Sequence, residues 1–298
     1  MIVILNIFIK INRKKISILL QAWSRFLYIL WIYLFGGFAY AIPFAKIVIF
    51  GDSLSDTGNY YAYSASKIPQ SPPYYVGRFS NGLIWVDELQ NSMKSQNIVN
   101  YAFGGADVSQ QQAIFTLTHE IDSYLLTQQH FQNNLHIIWV GANNYLTPNI
   151  IFDNQKVNQV IIGLRHDLQR LILAGAQSFV ILNLPNLGQA PIAKIFSLQT
   201  LLSRYSRLHN QQLLLMIKKL HAQYSHVHFL YGDINKIFHK IYRDPQAYGF
   251  DNVIDACYPE HNSKFCANYL FFDWMHPTAK AHKLIAYYIK QSISANLL

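Results

Sequence analysis

Short apolar runs that end at a glycine alternate along this chain with longer stretches of helical periodicity. Lys46–Phe50 runs into Gly51, and Leu135–Val140 runs into Gly141. A strand that is apolar on both faces has to be covered on both faces, which is typical of a parallel sheet between two helix layers. The pattern therefore predicts an α/β fold.

The predicted elements follow one another without a repeat or a convincing linker, which indicates a single domain. The predicted strands are Lys46–Phe50, Ile98–Ala102, Leu135–Val140, Ser178–Leu182 and His228–Tyr231. The predicted helices are Leu83–Met93, with Ser80-Asn81-Gly82 as its cap, then Val157–Ala174, Leu201–Tyr224 and a last helix from Pro277 to about Ser294. Sites in open sheets of this kind form at the carboxyl ends of the strands.

The first 41 residues have a different character from the rest. They contain a basic stretch, a clean apolar run and a small-x-small pattern, at Lys10–Lys15, Phe26–Phe38 and Ala39 with Ala41. This order predicts a secretory signal over 1–41 and a mature domain over 42–298. The alternative is a retained membrane anchor, but the clean run is shorter than the span of about 20 residues that a bilayer needs.

Charge and composition narrow the possible partners. The formal net charge is +9, and five positive charges lie in the first 41 residues, which contain no acid, so the remainder carries +4. No basic stripe interleaved with aromatics is present, so nucleic acid is not an expected partner, whereas an anionic membrane surface is compatible. The aromatic content of 15% suits an ordinary core or a wall that contacts acyl chains. No metal-ligand spacing or nucleotide loop is found, so we expect no metal and no cofactor.

The segment GDSLSDTGN at 51–59 places two serines directly after a predicted strand. Ser53 is the candidate nucleophile, with Ser55 as the weaker alternative, and a serine hydroxyl needs a base to remove its proton. Asp273 and His276 lie three residues apart before the last helix. The aspartate can hold one imidazole nitrogen while the other faces Ser53, so the spacing predicts a Ser-His-Asp triad.

Ester or amide chemistry at a serine also needs donors for the oxyanion of the tetrahedral intermediate. Three candidates are the backbone N–H groups of Ser53 and Gly105 and the side-chain amide of Asn143. We interpret Asp52 and Asp56 as hydrogen-bonding residues of the loop. The other eleven histidines, among them His119, His166, His209 and His261, lack an acid at the same spacing and are interpreted as surface or core residues.

Four segments in order resemble the four conserved blocks of the GDSL, or SGNH, lipases and esterases. They are GDSLSDTGN at 51–59, NYAFGGA at 100–106, GANN at 141–144 and DWMHP at 273–277, and RFSNG at 78–82 and LNLP at 182–185 also look like this family. The resemblance implies a flavodoxin-like αβα sandwich with a mostly parallel sheet. It also implies Ser53 as nucleophile, Gly105 and Asn143 as oxyanion donors, His276 as base and Asp273 as its support. The third block usually ends in Asp, and Asn144 departs from that pattern.

The first block and the late cysteine pair look like the bacterial lipolytic branch of this family. That branch includes lysophospholipases, phospholipases A and glycerophospholipid–cholesterol acyltransferases. The resemblance implies an exported, periplasmic or extracellular, hydrolase of lysophospholipid or phospholipid, and leaves open whether water or an alcohol such as a sterol accepts the acyl group. Two alternatives are a carbohydrate acetylesterase with a small acyl pocket and a non-catalytic surface binding protein.

The chain has two cysteines, Cys257 and Cys266, which bracket the polar segment YPEHNSKF. In an oxidising compartment we expect them to form a local disulfide, and the alternative is two unpaired thiols in a reduced chain. The bracketed loop lies shortly before Asp273. It is interpreted either as a flap beside the active-site mouth or as a stapled surface loop.

Overall fold

A computed structural model describes residues 44–93, 97–109, 115–128, 130–147, 151–259 and 263–297. The predicted signal segment 1–41 lies outside these ranges and stays a prediction. Among the helices in the described ranges, none has the length and apolar character needed to cross a bilayer.

Parallel strands form the centre of the domain, as predicted. The strands are β1 Lys46–Gly51, β2 Asn97–Asn100, β3 Asn134–Trp139, β4 Ser178–Leu182, β5 His228–Gly232, β6 Asn252–Ala256 and β7 Tyr269–Phe271. Five of them form one sheet in the order β2-β1-β3-β4-β5, and every neighbouring pair is parallel. This is the flavodoxin-like order, in which the chain changes direction across the sheet beside β1. Strands β6 and β7 form a separate parallel pair.

Helices follow most of the strands. They are α1 Asn59–Tyr63, α2 Trp85–Ser92, α3 Leu117–Thr127, α4 Asn154–Leu173, α5 Pro191–Ile195, α6 Gln199–Gln223, α7 Ile234–Arg243 and α8 Ala279–Asn296. Short 3-10 turns lie at Asn143–Tyr145, Leu187–Gln189, Gln246–Tyr248 and Ser263–Asn268.

Each face of the five-stranded sheet is buried under its own helix layer. In β1, the side chains of Val48 and Phe50 pack with α3, α4 and α6, whereas those of Ile47 and Ile49 pack with α2, α7 and α8. Successive side chains of a strand point to opposite faces, so a strand covered on both sides has to be apolar throughout. This confirms the predicted αβα sandwich and explains why the strands are continuous apolar runs.

The predicted starts of two helices are wrong, and the contacts of Ser80 and Asn81 explain both errors. Helix α2 begins at Trp85, and Ser80 and Asn81 do not cap it. Instead the Ser80 hydroxyl donates to the Pro277 carbonyl at 2.9 Å, and the Asn81 side-chain oxygen accepts the Ala279 N–H at 2.9 Å. Helix α8 begins at Ala279 rather than Pro277. The Ser80 and Asn81 side chains, which belong to a distant segment of the chain, stabilise the start of this helix through these two hydrogen bonds.

Helices α3 and α7, the short helices α1 and α5, and the β6–β7 pair were not predicted. Helix α7 carries a clear amphipathic pattern, since its buried residues Ile234, Ile237, Phe238 and Ile241 recur at helical spacing. Helix α3 is harder to recognise because its buried face includes the acid Glu120. Strand β7 has only three residues, which is too short for a periodic pattern.

Truncating Ile285 on α8 tests the packing of this helix against the sheet. Its side chain is fully buried, so Ile285→Ala is expected to lower the free energy of unfolding by about 2–5 kcal/mol. Tyr287 on the same helix is 65% exposed, and Tyr287→Ala should change the free energy by less than about 0.5 kcal/mol. Urea unfolding of both variants checks this, and equal losses would contradict the assigned packing face.

Candidate active site

Strand β1 delivers Ser53 to the carboxyl edge of the sheet. A Cβ atom on Gly51 would lie 2.4 Å from the Trp139 carbonyl oxygen, so the close approach of β1 and β3 requires glycine at the end of the strand. The chain then turns, because the N–H groups of Ser55 and Asp56 donate to the Asp52 carbonyl at 2.9 and 3.0 Å. Ser53 occupies this turn and is 9% exposed.

Three side chains from the two ends of the domain form one hydrogen-bonded chain. His276 Nε2 lies 2.8 Å from Ser53 Oγ. On the other side of the ring, His276 Nδ1 lies 2.7 Å from Asp273 Oδ2 and 3.0 Å from Asp273 Oδ1. The structure thus brings together the three residues that sequence analysis grouped as a triad, with one imidazole nitrogen on the acid and the other on the serine.

The aspartate of this chain is held by several donors. Asp273 Oδ1 accepts the N–H groups of Met275 and His276 at 2.8 and 2.7 Å, so the carboxylate closes a tight turn onto its own segment. Asp273 Oδ2 accepts the Tyr74 hydroxyl at 2.7 Å. The Phe79 ring lies 5.2 Å from the His276 ring, centroid to centroid, and covers one face of the imidazole. The sequence analysis did not single out Tyr74 and included Phe79 only as part of RFSNG, since nothing in the sequence shows that this distant loop packs on His276.

Burial and charge act in opposite directions on these two groups. Burial alone would lower the pKa of His276, but the charge and hydrogen bond of Asp273, together with the Asp52 charge, raise it above its ordinary value. Burial alone would raise the pKa of Asp273, but the His276 charge and the hydrogen bonds that it accepts lower it. The pair therefore favours ionised aspartate beside an imidazole of increased basicity, which is the state that a general base requires.

The candidate oxyanion donors border the same cavity as Ser53. Gly105 lines the cavity; it has a φ of +82°, and a Cβ atom built on it would meet no atom within 4 Å. Asn143 donates one side-chain N–H to the Ala106 carbonyl at 2.8 Å. Its amide carries a second N–H, which is free to serve a ligand in the cavity that Asn143 lines.

Asn144, the departure from the usual third block, has a clear structural role. Its side-chain oxygen accepts the Val108 N–H at 3.0 Å, and its side-chain nitrogen donates to the Val108 carbonyl at 3.1 Å. An ionised aspartate could make only the first of these bonds, because it has no donor. The amide therefore ties the loop of Asn143 to the segment that follows Gly105.

A cavity of about 200 Å³ opens beside Ser53 and His276. Most of its wall is apolar and comes from six separate parts of the chain. The lining includes Leu54, Phe79, Trp139, Leu146, Pro185, Leu187, Ala190, Ile192, Phe238, Phe271 and Met275. The polar groups of the site thus face an apolar chamber, which fits a ligand with one reactive polar bond and an apolar body.

Comparison with known proteins assigns the chain to a family. The family described as GDSL-like Lipase/Acylhydrolase matches residues 47–289. This chain belongs to that family. The match covers the central sheet from Ile47 onward and all three residues of the Ser53–His276–Asp273 chain, and it supports a carboxylic ester hydrolase.

Two curated relatives and one solved structure show how the chain is related to other members. It is 37% identical over 226 residues to a phosphatidylcholine-sterol acyltransferase of Aeromonas hydrophila, covering 72% of this chain and 66% of that protein. It is 25% identical over 264 residues to a thermolabile hemolysin of Vibrio parahaemolyticus, covering 81% of this chain and 62% of that protein. This chain therefore spans slightly less than two thirds of either relative.

The solved structure is that of an acetylxylan esterase from Geobacillus stearothermophilus. It superposes with a TM-score of 0.52 over 84% of this chain and 94% of that chain, at 13% identity. At this identity the likeness concerns the fold alone. It agrees with the αβα sandwich that the strand order shows.

The structure does not support Ser55, the alternative serine of this GDSL block, as the nucleophile. Its hydroxyl is fully buried and accepts the Trp85 indole N–H at 3.2 Å. Asp56 accepts four backbone N–H groups, including those of Gly58 and Gly104 at 2.7 Å, which confirms its interpretation as a hydrogen-bonding residue of the loop. Asp52 likewise accepts the Leu54 N–H at 3.0 Å.

A third buried acid lies under the nucleophile turn, and the sequence analysis did not include it. Glu120 on α3 is 5% exposed, and its Oε2 accepts the Gly51 N–H at 2.8 Å. Burial, with the Asp52 and Asp56 charges adding to it, raises the pKa of Glu120 well above its ordinary value. Burial also raises the pKa of Asp52 to about 6. The buried acid on an otherwise apolar helix face was the available signal for this residue.

Within the described residues, His119, His166 and His209 make no hydrogen bond to Ser53, Asp273 or His276. His209 is fully buried in the core, where burial lowers its pKa to about 3 and Tyr145 contacts its Nδ1 at 3.0 Å. His119 and His166 lie on α3 and α4, which agrees with a surface or core role. His261 lies outside the described residues. No group of three or more metal-ligating side chains is found within the described ranges.

The two cysteines form a disulfide, as expected for an oxidising compartment. Both are fully buried and pack with Phe272, the residue that precedes Asp273. The Tyr258 N–H donates to the Phe272 carbonyl at 2.7 Å, which ties the disulfide segment to the catalytic turn. Part of the bracketed loop, residues 260–262, lies outside the described residues, so its interpretation as a flap stays a prediction.

Replacing Asp52 by Asn is expected to change how stability depends on pH. The pKa of Asp52 is about 6 in the folded protein against an ordinary value of 3.8. Between these values the folded state binds more protons than the unfolded state, so this carboxyl makes the protein less stable as the pH rises. Asn keeps the oxygen that accepts the Leu54 N–H. Relative to wild type, Asp52→Asn should therefore gain on the order of 3 kcal/mol between pH 4 and pH 8.

Urea unfolding at both pH values measures this gain. Asp255→Asn is the control, because that exposed carboxylate has a pKa lowered by its hydrogen bond to Lys194 and should show no such gain. Parallel stability profiles for wild type and Asp52→Asn would contradict the assignment.

Proposed function

We propose that this protein is an exported serine hydrolase that cleaves carboxylic esters of lysophospholipids or phospholipids through an acyl-Ser53 intermediate. We also propose that an alcohol such as a sterol can replace water as the acyl acceptor. The observation that carries the proposal is the hydrogen-bonded chain from Asp273 through His276 to Ser53, which ends at the wall of an apolar cavity.

The first half of the reaction transfers the acyl group to the enzyme. His276 Nε2 takes the proton of the Ser53 hydroxyl while Oγ attacks the ester carbonyl carbon, and Asp273 stabilises the imidazolium that forms. The N–H groups of Ser53 and Gly105 and the free N–H of Asn143 stabilise the oxyanion. When the intermediate collapses, His276 gives its proton to the leaving alkoxide, and the alcohol of the lipid backbone departs.

The second half of the reaction releases the acyl group. Water or an alcohol enters the vacated space, His276 removes its proton, and the resulting oxygen nucleophile attacks the acyl-Ser53 carbonyl. Collapse returns the proton to Ser53 Oγ and releases a fatty acid or a new ester. An apolar chamber favours a hydrophobic alcohol over bulk water, because it binds the alcohol and limits the water near the acyl bond.

The apolar lining supports a long acyl group rather than an acetyl group. Leu54, Ile192 and Phe238 are among the apolar side chains that line the cavity beside Ser53. Burying the chain of a fatty acid stabilises the bound substrate by about 0.8 kcal/mol per CH₂. An acetyl ester has no such CH₂ groups and therefore lacks this stabilisation. The similarity to a phosphatidylcholine-sterol acyltransferase supports the same substrate class and the transfer reaction.

Export is supported by the buried Cys257–Cys266 disulfide, which is typical of proteins that work in oxidising compartments. The predicted signal over 1–41 supports the same location, periplasmic or extracellular. The intact chain of hydrogen bonds at Ser53 weighs against a non-catalytic binding protein, since such a protein has no need for a base on its serine.

Replacing Ser53 by Ala is expected to abolish release of fatty acid from lysophosphatidylcholine and diacyl phospholipid. It should also abolish formation of cholesteryl ester when cholesterol is present, because both products pass through the same acyl-enzyme. Fatty acid, acetate from p-nitrophenyl acetate and cholesteryl ester are quantified in parallel. A fluorophosphonate probe, followed by peptide mapping, should label Ser53 in the wild-type protein.

Each alternative predicts a different result in this assay. Turnover of the acetyl ester without release of fatty acid would favour a small-acyl esterase. Absence of both turnover and labelling would favour the binding protein. Ser53→Ala with full activity would exclude Ser53 as the nucleophile.

Replacing Asn143 by Ala removes one proposed oxyanion donor. The turnover number should fall roughly 100- to 1,000-fold, because the lost bond stabilises the transition state more than the bound substrate. The apparent KM for lysophosphatidylcholine should change much less. A loss confined to KM would contradict an oxyanion role, and thermal unfolding of the variant controls for the lost bond to Ala106.

A further inference from the structure

A group of large apolar side chains lies exposed near the candidate active site. Ile195 and Phe196 at the end of α5, Ile254 on β6, and Trp274 and Met275 before α8 are 51%, 58%, 54%, 44% and 40% exposed. Single exposed apolar residues are ordinary, but a contiguous group on a monomer marks an interaction surface. We call these five residues the apolar rim.

Two specific contacts show that the three segments of the rim are neighbours. The Ile192 N–H at the start of α5 donates to the Trp274 carbonyl at 2.9 Å. Two residues further along, Lys194 Nζ lies 2.9 Å from Asp255 Oδ1, next to Ile254. Helix α5 is thus bonded on one side to the turn before α8 and on the other side to β6, and the exposed side chains of all three face solvent.

The rim is continuous with the wall of the cavity. Met275 belongs to both, and Ile192, on the same short helix as Ile195, also lines the cavity beside Ser53 and His276. Trp274 lies between the cavity residue Met275 and the triad residue Asp273. An apolar path therefore leads from the exposed side chains to the serine.

The carboxylates of Asp255 and Asp273, which adjoin the rim in the chain, are both paired within the protein. Lys194 pairs with Asp255, and the Asp273 carboxylate is occupied by His276 and Tyr74. The surface therefore attracts a partner mainly through its apolar side chains, and a tryptophan at its edge suits the boundary between lipid headgroups and acyl chains.

We propose that the apolar rim docks the enzyme on a phospholipid surface and holds the cavity mouth against it. The inference deepens the proposed function, on which it rests. A second copy of the chain or another protein seated on the rim would cover the route to Ser53. A lipid surface covers the same route but also supplies the substrate through it. Of these partners, the lipid surface is therefore the one that allows the active site to turn over substrate while the rim is covered.

Labelling at single positions tests the contact directly. Phe196→Cys and Leu173→Cys are each made in the full chain with Ser53→Ala, and the new thiol carries a polarity-sensitive fluorophore. Leu173 is 79% exposed at the end of α4, before β4 begins, and so lies at the opposite edge of the sheet. Phosphatidylcholine vesicles should shift the emission of the label to the blue at position 196 and leave it unchanged at position 173. Because the rim carries no free charge, the shift should persist at high salt.

Kinetics of rim variants test whether the contact matters. Ile195→Ser with Phe196→Ser should raise the apparent KM for vesicle lipid by about tenfold or more, through the lost apolar burial. Hydrolysis of soluble p-nitrophenyl acetate should not change. Leu126→Ser with Leu173→Ser, at sites 87% and 79% exposed on the far edge, is the matched control and should leave both activities unchanged.

The outcomes separate this proposal from the proposed function. If the label at position 196 shifts to the blue but the wild-type protein, in which Ser53 is intact, hydrolyses no lipid, docking is supported and the lipase proposal is overturned. Equal shifts at 196 and 173, or no shift at 196, would overturn docking while leaving the lipase proposal standing. If the wild-type protein sediments as a dimer, the double rim variant sediments as a monomer, and the kinetics on vesicles are unchanged, the rim serves self-association instead.

Discussion

The hydrogen bond between Ser53 and His276 joins residues 223 positions apart in the chain, and most of the site's geometry depends on it. Such a bond between two loop residues has the required length only if both loops are fixed. The Ser53 turn is fixed by the end of β1 and by Glu120 below it. The His276 turn is fixed by the Asp273 carboxylate, which accepts two N–H groups of its own segment, and by the Ser80 and Asn81 side chains at the start of α8.

The electrostatics of the site follow from this arrangement. Burial opposes charge on every ionisable group here, but the groups differ in what compensates for it. The His276 charge, together with the hydrogen bonds that Asp273 accepts, lowers the pKa of Asp273, whereas burial raises the pKa values of Asp52 and Glu120. The result is an ionised acid beside His276 and, beneath the nucleophile, acids that gain protons at a higher pH. The buried Asp273 carboxylate thus stays ionised beside His276, where its charge stabilises the proposed imidazolium.

The polar chain ends in apolar surroundings, and this contrast suits an ester with a long acyl group. Leucine, isoleucine and phenylalanine side chains offer no hydrogen-bond partner to water, and hydrogen bonds in such low-dielectric surroundings are stronger than in bulk solvent. The same apolar character continues to the surface through Met275. Chamber and surface therefore form one apolar region that is open at the exposed side chains and ends at the serine.

Much of this could be predicted from the sequence, because some features depend only on local chemistry. Apolar runs ending at glycine specify buried parallel strands, and the Ser53 block, Gly105, Asn143 and the Asp273–His276 spacing lie in short motifs that can be recognised in the sequence from their own residues and their order. Other features arise only when distant segments meet. Ser80 and Asn81 look like caps for the helix that follows them, but the fold places them at the start of α8. Glu120, Tyr74 and the apolar rim have no local signature, because each acquires its role from a neighbour that is remote in sequence and that only packing brings within contact distance.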